Sequence, residues 1–328
     1  MMDSLPDVTL QDVYRARKRV AAIARRTPLI PSQRLNAPAG IHLKLENQQA
    51  TGSFKLRGAA NKLLGLTADE KERGVITIST GNHGRAVSYA ARHLGIRAVV
   101  CLSEGVTKGK LAAIKRLGAE AVVHGNTYDQ AEEQALRLQQ ERGLTMIEPF
   151  DDPDIIAGQG TIGLELLEDL PEIDTAVVPL SGGGLISGIA LALKAANPAI
   201  RIIGVSMDRA PVMYHSLRAG APIQMDEEET IADALVGGIG LANKHTFRMV
   251  QQYVDETVLV SEEEIASGMA FALEEHHQVI EGGAAVGIAA LLHQRINQVG
   301  RHVAVIVSGG NVDTEKLLET IGWARIPG

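Results

Sequence analysis

The segment Gly52-Ser53-Phe54-Lys55 contains residues that could take part in a reaction. It lies between a predicted strand and a predicted helix. Gly52 permits an unusual backbone angle, Ser53 is expected to cap the helix, and Lys55 then lies in its first turn, the positive end of the helix dipole. Desolvation and nearby dipoles would keep the Lys55 amine partly neutral, which Schiff-base chemistry requires. The alternative for Lys55 is an ordinary exposed lysine.

A second segment, Ser79 to Gly84, follows the apolar run Val75 to Ile78 and precedes a predicted helix. Small residues at such a turn leave backbone amides facing outward, which suits a carboxylate or another anion. The side-chain amide of Asn82 adds a hydrogen-bonding group for a ligand oxygen. Ordinary turn and cap chemistry remains an equal alternative for this segment.

Two more loops lie at the ends of predicted strands. Ser181 to Leu185 contains three successive glycines before a helix, and this favours an anion such as phosphate at the helix N-terminus. It matches neither the dinucleotide-binding fingerprint nor the P-loop. Ser308 to Asn311 closes the last strand, where ligands collect in open parallel sheets, although a plain turn is the commoner reading of such a loop alone.

The composition excludes several classes of function. The 328 residues carry a net charge of −7, and with only 4 Phe, 5 Tyr and 1 Trp the core must be aliphatic. Without Lys/Arg runs or aromatic platforms, we expect no nucleic-acid partner. One cysteine, Cys101, excludes an internal disulfide and a multi-cysteine metal site and fits the reducing cytoplasm. No run of 18 apolar residues occurs, so we expect no association with membranes.

The elements that must position these loops alternate between strand and helix. The first helix is expected to start at the capping box Thr9 to Asp12 and to end at Thr27-Pro28. Alternation of this kind indicates an α/β fold with two doubly wound domains and mainly parallel sheets. The predicted strands are His42 to Glu46, Val75 to Thr80, Ala98 to Leu102, Ala121 to His124, Thr145 to Glu148, Ala176 to Leu180, Arg201 to Ser206, Thr257 to Val260 and Val303 to Val307.

Taken in order, the four loops resemble those of the pyridoxal-phosphate (PLP) enzymes of fold type II, a fold like that of the tryptophan synthase β-subunit. They are most similar to those of the threonine/serine dehydratase and serine racemase family. The resemblance spans nearly the whole chain, including the runs Ala157 to Ile162 and Glu229 to Asp233. The run Ser79 to Arg85 and the later Glu281-Gly282-Gly283-Ala284 further resemble dehydratases of hydroxyectoine utilisation.

The resemblance implies a role for each loop. Lys55 would bind the cofactor aldehyde covalently and act as the base at the substrate Cα, and Phe54 would pack beside the cofactor. Asn82 would hydrogen-bond the cofactor 3′-oxygen. The remaining positions are implied as follows: the substrate carboxylate at Ser79, Thr80, Gly81 and His83; the cofactor phosphate at the amides of Gly182, Gly183, Gly184 and Leu185; and the pyridine nitrogen at Ser308.

A hydroxyl such as that of Ser308 cannot stabilise a pyridinium as a carboxylate would, so the resemblance favours β-elimination over transamination. The expected reaction converts a β-hydroxy amino acid such as threonine, serine or a hydroxyectoine-derived amino acid into a 2-oxo acid and ammonia. A serine-type racemase with side elimination is one alternative, and a non-catalytic binder of amino acids or nucleotides is another. Serine racemases carry serine where this chain has Thr80, whose branched side chain is stiffer, and this disfavours racemisation.

The resemblance also bears on metals, domains and assembly. Relatives hold a divalent cation on acidic residues where this chain has Ser206, Ala210 and Val212, so we expect no metal there. A small domain of residues 50–150 is expected to be inserted into a large PLP-binding domain of residues 1–49 and 151–328. We also expect the protein to form a homodimer. Besides PLP, the expected small-molecule partner is the amino-acid substrate.

Overall fold

The computed structural model describes residues 8–35, 40–79, 81–106, 108–126 and 128–327. Within these ranges, the strands alternate with helices along most of the chain. The strands are β1 Leu29–Pro31, β2 Gly40–Leu45, β3 Val75–Ile78, β4 Ala98–Leu102, β5 Glu120–Val123, β6 Thr145–Met146, β7 Thr175–Pro179, β8 Arg201–Met207, β9 Glu256–Val260 and β10 His302–Val307.

The helices follow the same numbering in chain order. They are α1 Leu10–Val20, α2 Lys55–Gly65, α3 Ala68–Arg73, α4 Asn82–Leu94, α5 Lys108–Arg116, α6 Tyr128–Arg142, α7 Pro153–Asp169, α8 Gly184–Ala196, α9 Val212–Ala219, α10 Thr246–Tyr253, α11 Glu262–His276, α12 Gly282–Leu292 and α13 Thr314–Trp323. Short 3-10 turns lie at Glu46–Gln48 and Asp233–Leu235. No helix of the described ranges is long and apolar enough to cross a membrane.

A six-stranded sheet has the order β1-β2-β10-β7-β8-β9 and is parallel except for β1. Alternate residues of β10 enter different cores. Val303 and Val305 pack in the core that contains α11 and α12, whereas Ala304 and Ile306 pack in the core that contains α7, α8 and α10. Both faces are therefore covered by helices, as expected for a parallel sheet with nearly continuous apolar strands.

A second sheet has four strands in the order β5-β4-β3-β6, all parallel. Its two central strands, β3 and β4, are buried along their whole lengths. Val75 and Val100 pack with α2 and α4, while Ile76 and Val99 pack with α6. The α/β fold with two doubly wound, mainly parallel sheets is confirmed.

Two local expectations differ from the structure. Helix α1 starts with the expected capping box of Thr9 and Asp12 but ends at Val20, well before Pro28. Beyond the end of this helix, the side-chain amide of Gln49 accepts from the N–H of Arg25 at 3.1 Å and donates to its carbonyl at 2.7 Å, so the backbone of Arg25 is satisfied outside a helix. The three-residue strand β1 was not expected, since so short a run has no readable periodicity.

A buried ionic cluster ties α2 to the large sheet and to α7. Arg57, 1% exposed, donates from Nε and Nη2 to Glu46 at 2.8 Å each, and from Nη1 and Nη2 to Glu165 at 2.6 and 2.9 Å. The ammonium group of Lys44 lies 2.7 Å from Glu165 Oε2. At the edge of the cluster, Asp169 lies 3.4 Å from Lys44 as a third carboxylate. The arginine, which lies two residues after Lys55, is held on both sides in bidentate pairs.

Candidate functional site

The first loop leads into α2, whose first residue is Lys55 and whose N-cap is Phe54 in the right-handed helical conformation. The expectation that Ser53 caps this helix is wrong. Ser53 instead forms an isolated antiparallel bridge with Gly309, and the N–H of Phe54 donates to the carbonyl of Ser308 at 3.0 Å. The backbone of the fourth loop therefore pairs with the start of the first loop, and these two loops lie side by side.

The Lys55 ammonium group is held by the polypeptide backbone. Its Nζ donates to the carbonyl of Pro149 at 2.7 Å and lies 5.3 Å from the centroid of the Phe54 ring. Within the described ranges, no carboxylate forms an ion pair with it. Desolvation lowers the pKa of Lys55 to about 8. At pH 7 roughly a tenth of the amine is therefore neutral and nucleophilic, far more than for a lysine with the ordinary pKa.

The second loop follows β3, and α4 begins at Asn82 with Gly81 as its N-cap. The Gly81 N–H donates to the hydroxyl of Ser79 at 3.2 Å. His83 is buried, and its Nε2 lies 3.0 Å from the carbonyl of Ile147. Burial and the nearby charge of Lys55 lower the pKa of His83 to about 3, so the imidazole is neutral and donates from Nε2. Thr80 lies outside the described residues.

The Asn82 side chain joins this loop to two distant parts of the chain. Its Nδ2 donates to Glu281 Oε1 at 2.6 Å, and its Oδ1 accepts from Asn311 Nδ2 at 2.6 Å. Arg85, one helical turn further along α4, donates to Asn311 Oδ1 at 2.6 Å. Burial raises the pKa of Glu281 to about 7, with Asp233 adding to the effect. The second and fourth loops are thus linked through side chains.

The third loop lies against Phe150. A Cβ atom on Gly182 would lie 2.5 Å from the Phe150 ring, and one on Gly184 would lie 2.9 Å from the Phe150 carbonyl oxygen. Gly183 has a φ of +88°, which favours glycine, and α8 begins directly after it, with Leu185 in its first turn. This loop is therefore a bare backbone cradle at a helix N-terminus, a suitable place for a phosphate group.

The segment from Ile147 to Phe150 brings the glycine loop to the lysine. Ile147 contacts His83, Pro149 accepts from Lys55, and Phe150 packs on the glycine loop. Ser308, at the carboxyl end of β10, is buried and shares a backbone hydrogen bond with Phe54. All four predicted loops are thereby connected within one region at the carboxyl ends of strands.

The site has the chemistry needed for a phosphorylated aldehyde. The lysine amine has a depressed pKa and no carboxylate partner within the described ranges, which suits a covalent bond to an aldehyde carbon. The glycine cradle excludes any Cβ and presents a helix N-terminus, which suits a phosphate. The residues expected to hold such a cofactor therefore fit it.

Some residues of this site were not assigned a role from the sequence. Pro149 carried no signal, since a backbone carbonyl can act at any residue type. Asn311 lies within a motif that was singled out, but its partners could not be read from the motif. Glu281 opens a glycine-rich turn into α12, where its residue type fits a helix-dipole role and a role in the pocket equally well.

Comparisons with known proteins agree with this arrangement. The family described as "Pyridoxal-phosphate dependent enzyme" matches residues 20–309. The L-threonine ammonia-lyase of Thermotoga maritima is 43% identical over 312 residues, covering 94% of this chain and 77% of the relative. The catabolic L-threonine dehydratase of Escherichia coli K12 is 39% identical over 320 residues, covering 96% and 97%. Maize serine racemase superposes with a TM-score of 0.91 at 35% identity, covering 97% of this chain and 98% of the other.

Proposed function

Since the chain belongs to the pyridoxal-phosphate-dependent enzymes, in the family of threonine and serine dehydratases and serine racemases, we propose that it removes the β-hydroxyl group of L-threonine. The products would be a 2-oxo acid and ammonia. The observation that carries the proposal is the Lys55 amine, which has a lowered pKa and donates to Pro149, in the segment that also contacts His83 and the glycine cradle. The L-threonine ammonia-lyase and the catabolic L-threonine dehydratase among the relatives support the same reaction.

The chain's own residues would bind the cofactor at three places. The amides of Gly182 to Leu185 would hold the phosphate, Ser308 would contact the pyridine nitrogen, and an N–H of Asn82 would bind the 3′-oxygen. When bound, PLP withdraws electrons from the substrate Cα and so acidifies the proton there. The Ser308 hydroxyl carries no negative charge and so would stabilise a protonated pyridine nitrogen only weakly. The electron pair left on Cα after proton removal would therefore expel a β-leaving group rapidly rather than persist on the cofactor.

Lys55 would move the proton in this reaction. As a neutral amine, it accepts the Cα proton, and the resulting ammonium is stabilised by the Pro149 carbonyl that it already contacts at 2.7 Å. The electron pair left on Cα forms the Cα–Cβ double bond as the bond from Cβ to oxygen breaks, and the Lys55 ammonium returns its proton to the departing hydroxyl, which leaves as water. Hydrolysis of the released enamine then gives the 2-oxo acid and ammonia.

The substrate carboxylate would be held by the loop from Ser79 to His83, with Thr80 as one of its members. Backbone amides at the start of α4 provide donors of the required kind. Because the His83 imidazole is neutral, its side chain would not add a positive charge for the carboxylate. The backbone rather than a cation would therefore supply most of the recognition.

A serine racemase activity is the second candidate, because maize serine racemase resembles the chain over nearly its whole length. Racemisation needs a proton donor on the face of Cα opposite Lys55. Incubation of L-serine in deuterated water separates the two activities, since a racemase yields deuterated D-serine and an ammonia-lyase yields pyruvate.

We also propose that the chain is built from a small domain of residues 50–150, inserted into a large domain of residues 1–49 and 151–328. All strands of the four-stranded sheet lie between residues 75 and 146, which supports this division. Limited proteolysis with mass spectrometry would test the boundaries. A homodimer in the cytoplasm is proposed from the family resemblance, and sedimentation equilibrium would test the dimer.

The function is tested with the wild type, Lys55→Ala and the control Lys71→Ala, which removes a half-buried lysine of α3 whose Nζ donates to the carbonyl of Leu64 at 3.2 Å. We expect wild type and control to show the visible absorption of a lysine-bound cofactor and to release 2-oxo acid from L-threonine. Lys55→Ala should lose both. Rates with serine, 3-hydroxyaspartate, phenylserine and hydroxyectoine-derived amino acids define the substrate range. A wild type that binds PLP but releases no 2-oxo acid from any of them would refute the proposal.

A further inference from the structure

Glu281 is a buried carboxylate that the reaction above does not use. Its residue is 4% exposed, and within the described ranges it forms no ion pair. It is the N-cap residue of α12, yet its side chain does not cap that helix. A carboxylate in such a place carries a desolvation cost, and this cost calls for a reason outside its own helix.

The carboxylate of Glu281 is the end of a directed chain of hydrogen bonds. Arg85 donates to Asn311, Asn311 donates to Asn82, and Asn82 donates to Glu281, at 2.6 Å in each case. Arginine has donors only, and an ionised carboxylate has acceptors only. The two ends therefore determine which side of each amide is oxygen and which is nitrogen. The second donor contact of Asn311, at 2.8 Å to the carbonyl of Thr51, agrees with this direction.

This direction determines what Asn82 can offer a ligand. Its Oδ1 is occupied by Asn311, and one N–H of its Nδ2 is occupied by Glu281. A primary amide has two N–H groups, so the group left over is a donor. The 3′-oxygen of PLP is an acceptor. A flipped amide would direct its oxygen at both Glu281 and the cofactor and would be repelled by each.

The neighbouring loop leaves room for Glu281 in this position. A Cβ atom on Gly309 would lie 2.3 Å from Glu281 Oε1, so the carboxylate could not keep its present position beside a larger residue. The N–H of Glu281 also donates to the carbonyl of Gly309 at 3.2 Å. The glycine of the fourth loop is thus needed to admit the carboxylate that orients Asn82 of the second loop.

We propose that Glu281 is a positioning residue that holds the Asn82 amide with a free N–H directed at the 3′-oxygen of PLP. The proposal deepens the proposed function, because it rests on the cofactor contact assigned there to Asn82. Glu281 acts only through Asn82 and need not touch the substrate.

The same arrangement makes the cofactor contact depend on pH. The charged groups around the Glu281 carboxylate are Asp233 in the 3-10 turn and Lys110 in α5, and Arg85 of α4 is reached through Asn311. Burial and Asp233 raise the pKa of Glu281 to about 7. Above this pH the carboxylate only accepts, whereas below it a proton permits the reversed direction. The orientation of Asn82 is therefore most strictly maintained above pH 7.

The test measures PLP binding to the apo-enzyme by the absorbance of the bound cofactor, with wild type, Glu281→Gln, Asn82→Ala and the double variant. Glu120→Gln is the control, since Glu120 pairs with Arg142 on the surface. We expect Glu281→Gln to raise the PLP Kd about tenfold, the equivalent of about 1.4 kcal/mol. If Glu281 acts through Asn82, its substitution should add nothing in the Asn82→Ala background. We also expect a spectral transition of the bound cofactor near pH 7 that Glu281→Gln lacks.

Two results would overturn the inference. One is an unchanged PLP Kd and pH profile in Glu281→Gln, and the other is a double variant in which the two losses multiply. Circular dichroism of each apo-variant identifies any that fails to fold, and Asn82→Gln then provides a second cycle at the same contact. A wild type that binds no PLP would instead refute the proposed function, so the two failures are distinguishable.

Discussion

Replacement of Arg57 by methionine should destabilise the protein far more than loss of a surface arginine. Methionine keeps much of the volume and removes the charge and all the donors. Glu165 would keep Lys44 at 2.7 Å as a partner. Glu46, which is 0% exposed, would be left without its bidentate partner, retaining a hydrogen bond from the Thr27 hydroxyl and one from Gln49 at 3.4 Å. The main consequence is therefore an uncompensated buried carboxylate.

The expected loss of unfolding free energy follows from the unpaired charge of Glu46. Removal of one partner from a buried ion pair typically costs about 3–5 kcal/mol. The variant would lose one positive charge from the same volume, so the net charge of the cluster becomes more negative by one. Adding Glu46→Gln removes this extra negative charge and leaves Lys44 with Glu165 at 2.7 Å and with Asp169 at 3.4 Å. We expect the double variant to recover roughly half of the lost stability.

The assay is urea unfolding followed by circular dichroism at a fixed, saturating PLP concentration. Arg26→Met is the matched control, because Arg26 pairs with Glu168 and Asp169 but its side chain is 46% exposed. Exposed pairs contribute about 0–1 kcal/mol. The loss in Arg57→Met should also shrink at low pH, where Glu46 can take up a proton. If Arg57→Met costs no more than Arg26→Met, or if Glu46→Gln makes it worse, the reasoning is refuted.

Two further predictions concern the site. Gly183→Ala should raise the PLP Kd about tenfold or more, because Gly183 has a φ of +88° and an added Cβ would lie 3.0 Å from Met213 and from Thr246. Gly220→Ala, at a φ of +75° with open space around it, should lower stability and leave PLP titrations unchanged. In the apo-enzyme, Lys55 has a pKa of about 8 against 10.5 when unfolded, so between these values only the unfolded chain holds the proton. The unfolding free energy of the apo-enzyme should therefore rise from pH 8 to pH 10.5. Urea unfolding midpoints measured across this range should show the rise in the wild type and not in Lys55→Met.

Much of the architecture and of the site could be predicted from the sequence, because both depend on local signals. Apolar runs alternating with helical periodicity predicted the parallel sheets. Glycines and hydroxyls after strands marked the four loops at the sheet edges where ligands bind. The resemblance of Lys55, Asn82 and Ser308 to a family motif led to the PLP-dependent enzymes, to which the chain belongs. These features depend on local backbone conformation and on residue order, and both can be inferred from neighbouring residues in the sequence.

The tertiary structure alone decided which side chains meet. Ser53 had the right type and position for a helix cap, but pairing with Gly309 removed it from that role. Asn82 and Glu281 are 199 positions apart in the sequence. The hydrogen bond between them determines the orientation of the Asn82 amide, whereas the sequence motif gives only its residue type. The physical reason is that a buried polar group takes its partner from whichever segment the fold brings beside it. Local sequence encodes the loops, and packing between distant segments determines the charges and hydrogen bonds within them.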